Sequence, residues 1–304
     1  MPTMPSMKQI VNIQGVAFAI LSSATFGLIP LFSIPLLDSG IGSPTILCYR
    51  FLIAAIAMAV VVILRRGSFR LLANQIGVVI ILAVLYASTA ILLIRSYEYI
   101  PSGIATTIHF LYPLAVTLTM AWFFGERTTA VTYVAVVISL VGVGLLAWGN
   151  HTEGDFHRGV TLALLTVATY AAYIVGVMRS RAAAINSLVL TFYVLAIGAV
   201  LFMLYAMATT GIEPVHHWNS WRDLITLAIV CTVLSDYALI LAIKRIGSTF
   251  TSILGSMEPL TAVIVGVLYF GEHFDSSSVA GLILIIAAVV LVIARANRSI
   301  HGES

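Results

Sequence analysis

The fold class this sequence predicts is an all-α polytopic membrane protein of ten transmembrane helices, arranged as two inverted five-helix repeats. Three observations carry that expectation. Hydrophobic residues make up 61% of the chain and charged ones only 9%, against roughly 45–50% and 25% in soluble globular domains. Successive apolar runs reach the roughly 20 residues that a helix needs to cross about 30 Å of hydrocarbon, and the stretches between them are too short for a soluble domain. The two halves of the chain also repeat one another.

The spans are expected at roughly 12–34, 43–64, 75–95, 102–124, 129–148, 157–178, 186–208, 221–243, 248–270 and 276–295. Lys8 precedes the first run, which continues from Gly15 to about Leu37. That run is too long for a signal-peptide core and reads as a retained span. An even count puts both ends on one side. Lys8, Arg65, Arg66, Arg70, Arg127, Arg179, Arg181, Lys244, Arg245, Arg295 and Arg298 fall on that side, while the opposite loops hold Arg95, Arg158 and Arg222. By the positive-inside rule both termini are cytoplasmic, in a multi-pass protein of the inner (plasma) membrane. Trp122, Trp148, Trp218 and Trp221 lie near span ends, where amphipathic rings favour the headgroup region. Cys48 and Cys231 fall inside apolar runs and read as small buried thiols. No basic segment outside the membrane is long enough for a nucleic-acid partner.

GVAFAILSSATF from Gly15 aligns with GVTLALLTVATY from Gly159, and IPSGIATTIHFLYPLAVTLTMAWFFGE aligns without gaps with IGSTFTSILGSMEPLTAVIVGVLYFGE, ending at Glu126 and Glu272. Two matches in register indicate an internal duplication, with residues 1–150 and 151–304 as its units. Five spans per unit is an odd number, so the second enters the membrane from the opposite side. Inverted repeats are the architecture of many secondary transporters, because two similar halves of opposite orientation can exchange conformations and open a central site to either face in turn. The alternative is a duplication that gave only a pseudosymmetric scaffold.

These features resemble the EamA family of the drug/metabolite transporter superfamily. The points of match are Gly15-Val16-Ala17 and its partner at Gly159, Arg50-Phe51 in the second span, the Pro113 and Pro259 spans, and the Phe-Gly-Glu that closes each (Phe124 to Glu126, Phe270 to Glu272). The resemblance implies a ten-helix bundle with spans one to four and six to nine around a central cavity, spans five and ten at the periphery, and the movement of small metabolites, often the export of amino acids. Gly125 and Gly271 are suited to end helices in a left-handed turn. Glu126 and Glu272 would then sit near the start of the next helix, where a negative charge gains about 0.3–1 kcal/mol. Ser102, Gly103, Thr106 and Thr107, with Ser248, Thr249, Thr251 and Ser252 in the ninth span, read as helix-packing residues.

Polar residues inside the spans are the candidate site. Glu258 lies near the bilayer midplane by helical rise, where an acid costs roughly 2.5–3.5 kcal/mol and must face a partner or a wet cavity. Pro259 lacks an N–H and is expected to free the carbonyl of Gly255 and bend the span; Pro113 is its counterpart in the first half. Two roles are open to Glu258: holding a substrate ammonium group or a proton, or hydrogen-bonding a neighbouring helix as a neutral acid. At the equivalent place stands Tyr112, with His109 one turn earlier on the same face. A hydrogen-bonded pair facing the cavity is expected, the histidine being either a satisfied core residue or a proton relay. Arg50 lies about 10 Å inside its span. It either snorkels to the outer interface or clamps a substrate carboxylate in bidentate fashion. Asp236 is expected to pair with Lys244, or else to bind a cation. Tyr86, Tyr112, Tyr170, Tyr173 and Tyr237 are candidates to line the cavity with rings that attract ammonium groups.

The function expected is secondary transport that exports small amphipathic metabolites, amino acids first, by alternating access. The partners are then a small-molecule substrate and membrane lipid, with the proton as candidate coupling ion. A drug or nucleoside exporter of the same fold is the alternative, and an intramembrane enzyme the rival from another class. The sequence has no HExxH and no GxSxG, and a single aspartate within the spans cannot make a two-aspartate protease. No metal or cofactor is expected. No Gly-x-x-x-x-Gly-Lys motif occurs, so the energy would come from gradients.

Overall fold

The computed structural model describes residues 13–125, 130–148, 155–239, 241–242, 245, 254–255 and 257–301, and among these it contains helices and no strand. Lys8, Glu126, Arg127, Glu153, Lys244, Ser248, Thr249, Thr251 and Ser252 lie outside the described residues. Among the described residues, six helical stretches are long and apolar enough to cross a membrane: Ile13–Asp38, Ser43–Leu64, Ala73–Ser96, Ser102–Phe124, Phe156–Val177 and Ser187–Ala208. Tyr133–Leu145, Met257–Phe270 and Ser276–Leu291 are shorter apolar helices.

The elements in order are α1 (Ile13–Gly27), α2 (Ile29–Asp38), α3 (Ser43–Leu64), α4 (Ala73–Ser96), α5 (Ser102–His109), α6 (Tyr112–Phe124), α7 (Ala130–Trp148), α8 (Phe156–Arg179), α9 (Ser187–Ala208), α10 (Trp218–Ala228), α11 (Met257–Phe270) and α12 (Ser276–His301). The first expected span is two helices. Pro30 starts α2, where its missing N–H is harmless and its fixed φ favours the first turn. The turn before it closes through the Leu28 amide, which donates to Thr25 O at 3.3 Å. The span also runs on to Asp38, beyond its expected end. The fourth span breaks between His109 and Tyr112, just ahead of Pro113. A six-residue π-turn, Ile229–Leu234, follows α10, where an unbroken α-helix was expected.

Equivalent spans of the two halves pack against one another: α3 on α9, α7 on α12, and α5, the first helix of the fourth span, on α11, which is the counterpart of α6. Each of these pairs is antiparallel. Thr45 lies by Gly211 while Phe69, beyond the other end of α3, meets Phe192 near the start of α9. Ser102 at the start of α5 bonds Glu272 just past the end of α11. Gly142, late in α7, meets Gly281, early in α12. Other contacts occur in exchange-related couples: α4 on α8 is matched by α10 on α2, α8 on α5 and α6 by α11 on α1 and α2, and α4 on α9 by α10 on α3. Lipid supplies no hydrophobic drive between helices, so close approach at small residues does the joining. A Cβ on Gly198 would lie 2.5 Å from Phe51 Cδ1, and one on Gly103 2.9 Å from Val263 Cγ2. Two buried clusters result, one built on Phe51, Leu82, Leu195 and Leu224, the other on Ile104, Ile108, Phe110 and Ile285.

Gly125 and Gly271 take the left-handed conformation expected of them, at φ +68° and +64°. The expected place of Glu272 is corrected. The cap of α12 is Asp275, whose carboxylate accepts from the Ser278 amide at 2.7 Å. Glu272 instead reaches across to the other half, because the Glu272 amide folds back onto Gly266 O at 2.9 Å and turns the side chain toward α5. Hydrogen bonds from Ser278, hydroxyl and amide, and from the Ser277 hydroxyl hold the Asp275 carboxyl below its usual value of 3.8. A depressed value means that the cap's contribution is complete above pH 3.8 and is lost as pH falls through the lowered value. Hydrogen exchange of the first-turn amides of α12, corrected for intrinsic rates, should therefore rise only in strong acid. Asp275→Asn should remove that pH dependence.

Candidate functional site

The site forms where the broken spans of both halves meet. Arg50 on α3 is buried, with 5% of its surface exposed. Its Nε donates to Thr232 Oγ1 at 2.9 Å, so the guanidinium turns into the bundle rather than snorkelling outward. Thr232 belongs to the π-turn, and its hydroxyl donates to the carbonyl of Leu227, five residues back, at 3.0 Å. That leaves a lone pair for Arg50. π-turns recur at functional sites because they expose backbone acceptors and re-aim side chains. Asp236 follows the turn and lies within electrostatic reach of Arg50. Its expected partner Lys244 lies outside the described residues.

Glu258 is buried in the first turn of α11. The expectation of a freed Gly255 carbonyl is corrected: the Glu258 amide donates to it at 2.9 Å in a tight turn, so the acceptor is used locally before Pro259. Gly27, at the break between α1 and α2, rests against this turn. A Cβ there would lie 2.5 Å from the Glu258 carbonyl oxygen and 2.6 Å from Thr261 Cβ. The interruption of the first span thereby docks on the start of α11.

Between these charges runs a ladder of rings. Tyr86 meets Tyr173 at 5.1 Å, Tyr173 stacks on Tyr170 at 5.9 Å, and Tyr170 meets Tyr112 edge-on at 4.7 Å. His109 touches both Tyr112 and Tyr170. The Tyr86 hydroxyl feels the charges of Asp236, Arg50 and Glu258, and Glu258 also acts on Tyr97, Tyr112 and Tyr170. Of the candidates read from sequence, Arg50, Tyr86, Tyr112, Asp236 and Glu258 thus share one electrostatic neighbourhood, with Tyr170 and Tyr173. Tyr237 does not join the ladder; its hydroxyl accepts from Arg65 at 3.4 Å.

His109 is corrected in one respect. Its ring packs on Tyr112 at 5.4 Å, but its hydrogen bond joins Nδ1 to Thr166 Oγ1 at 2.8 Å. The Thr166 hydroxyl also reaches Ala163 O at 2.5 Å, and which of the two takes its proton sets the imidazole tautomer. Among the described residues no group of three or more His, Cys, Asp or Glu side chains could hold a metal ion.

A depression of about 390 Å³ opens beside the site and is lined by Ile34, Asp38, Tyr97, Tyr99, Ser102 and Glu272 among others. Tyr97 links it to the interior, since its hydroxyl lies 3.5 Å from Thr106 Oγ1 and within reach of Glu258 and Arg50. At the rim, Glu272 Oε1 accepts from the Ser102 amide at 2.8 Å and from its hydroxyl at 2.7 Å, and Oε2 from the Gly103 amide at 3.4 Å. Glu213 likewise accepts from the Gly42 amide before α3, and Glu98 from the Ser43 hydroxyl. Sequence reasoning missed Thr232, Thr166 and Tyr97. Hydroxyls in apolar runs were the available signal, and they do not distinguish packing from site.

The sequence profile of the EamA-like transporter family matches residues 13–148 and again 157–294. The threonine/homoserine exporter RhtA of Escherichia coli (strain K12) is 31% identical over 200 residues, covering 64% of this chain and 63% of RhtA. The chain thus spans less than two thirds of the RhtA relatives it matches. YedA of the same organism, an uncharacterized inner membrane transporter, is 23% identical over 249 residues, 80% of this chain and 79% of YedA. A protein of known crystal structure shares the fold at a TM-score of 0.67 over 94% of this chain and 99% of that one, with 16% identity. Two successive matches to one profile, on a chain whose equivalent spans pair antiparallel, leave one assignment: the chain belongs to the EamA-like transporter family, within the drug/metabolite transporter superfamily.

Proposed function

We propose that this protein is a secondary transporter that exports amino acids across the inner membrane by alternating access, through ten spans forming two inverted five-helix units around a central site. The observation that carries the reading is the gathering of Arg50, Asp236 and Glu258 around the tyrosines Tyr86 and Tyr170, on helices drawn from both halves. A zwitterion needs one partner of each sign. The Arg50 guanidinium is the one for the carboxylate, and Glu258 or Asp236, with the ring faces, for the ammonium group. His109 is a further polar group beside Tyr112. The likeness to threonine/homoserine exporters supports the amino-acid class. The ring ladder favours a second class, flat drug-like or nucleoside solutes, which stack on such faces.

Vesicles containing the protein and loaded with labelled amino acids should lose label faster than protein-free vesicles. Equal loss, with release of a labelled nucleoside instead, would move the assignment to the second class. Glu258→Gln tests coupling. If this carboxylate carries the proton, the variant should lose pH-driven uphill transport and keep counterflow; unchanged uphill transport would remove it from that role.

A further inference from the structure

A second feature lies on the outside of the bundle, apart from the transport site. Between α3 and α9 runs a groove of about 390 Å³, to which α3 contributes Cys48, Ala55 and Ala59 and α9 contributes Phe192, Ala196 and Ala199. Alanines at facing positions create the recess. Leu52 and Val200, which also line it, are 45% and 50% exposed, so the groove opens on the face turned to lipid. From Cys48 to Ala59 the helix rises about 16 Å, and the groove is centred on both helices, with its ends five residues inside those of α3 and α9. A recess lined by alanines in this way has room for a single hydrocarbon chain.

A basic loop lies over one end of the groove. Phe192 meets Phe69 edge-on at 5.0 Å, and the Tyr193 hydroxyl donates to Phe69 O at 2.7 Å. These contacts fasten the loop between α3 and α4 over that end. The loop carries Arg66 and Arg70, both exposed, while Arg65 reaches toward Tyr237. Arg66 stands at φ +52°, the only non-glycine residue with positive φ among the described residues. That position closes α3, with the Gly67 amide donating to Val62 O at 2.8 Å. Helix ends of this kind usually carry glycine at the left-handed residue. Here glycine is the next residue and arginine holds the strained place, a pattern that points to use of the side chain.

We propose that the groove holds one acyl chain of an anionic phospholipid whose phosphate is met by Arg66 and Arg70. Clustered arginines in a loop at the end of a cleft between spans are the chemistry that selects anionic headgroups. The site is independent of the transport reading.

The test uses the full-length protein, reconstituted in bilayers of equal phosphatidylcholine and phosphatidylglycerol, then extracted in mild detergent and weighed with its retained lipid by native mass spectrometry. The wild type should retain phosphatidylglycerol over phosphatidylcholine by about fivefold or more. Arg66→Gly with Arg70→Gln should bring the two lipids to parity without lowering the melting temperature, because glycine accepts the left-handed conformation. Ala55→Leu with Ala196→Leu should reduce retention of both lipids by filling the recess. Parity in the wild type, or a preference that survives loss of both arginines, would overturn the proposal. So would a dimer that the filled groove abolishes, since the occupant would then be a second copy. Should the filled variant fail to fold, the arginine pair alone decides.

Discussion

Replacing Arg50 by Met should raise the amino-acid concentration for half-maximal transport by roughly 10- to 150-fold, the range set by losing a charge-assisted hydrogen bond worth about 1.5–3 kcal/mol. The guanidinium is buried, and it is the cation that acts on Asp236 and on the Tyr86 hydroxyl. With Arg50 as the proposed partner of the carboxylate, its removal leaves that group unpaired and Asp236 without its compensating cation. Arg50→Lys keeps the charge and loses the planar fork, so it should fall between the wild type and Met. Thr232→Val should weaken transport less than either, because Thr232 holds Arg50 Nε in place without meeting the substrate. Transport kinetics in vesicles decide the matter. An unchanged half-saturation constant in Arg50→Met would take Arg50 out of the substrate site and leave it as a structural cation.

Glu272→Ala should lower the stability of the α5 end by about 1–2 kcal/mol, the usual effect of deleting a strong helix cap. This carboxylate satisfies the amides of Ser102 and Gly103 and the Ser102 hydroxyl, and it ties the end of α11 to the start of α5. Glu272→Gln keeps one acceptor oxygen and should lose less. Gly266→Ala offers a second route to the same effect, since a Cβ there would collide with the Glu272 carboxylate and push it off the cap with the acid still present. Thermal melts in detergent and hydrogen exchange at Ser102, Gly103 and Ile104 report the change. Melts and exchange as in the wild type for both Glu272→Ala and Gly266→Ala would show that the cross-repeat cap is incidental.

Much of the architecture was legible because lipid imposes a simple rule: a crossing segment must be apolar and must satisfy its own backbone. The duplication was legible too, through Pro113 and Pro259 at matched places and through Gly125 and Gly271, whose left-handed caps the structure contains. What the chain does inside a span was less so. Pro30 marked the break after Gly27, but a proline near the start of a helix interrupts nothing in its own segment, and only the docking of Gly27 on Glu258 fixes where the span parts. The π-turn at Ile229–Leu234 contains neither glycine nor proline, so nothing local announced it. Glu272 looked like a cap for the helix that follows it in sequence, and its actual partners lie 169 and 170 positions away. The snorkelling of Arg50 could not be decided from sequence either, because depth along a helix does not say which way a long side chain turns. The gathering of charges around Tyr86 and Tyr170 is a product of tertiary packing between halves, which no spacing within one span encodes.

The contact of Gly198 with Phe51 has a mechanical consequence. Phe51 also meets Tyr86 at 5.7 Å and Phe202 at 5.0 Å, so α3 and α9 are closely packed at this point of their crossing. A molecule that rocks its halves past each other must keep such a point still while the mouths on either side widen and narrow. In the alternating-access reading proposed above, the aromatic side chain is the fulcrum, and the lever arms are the helices that carry Arg50 inward on one side and the groove alanines on the other.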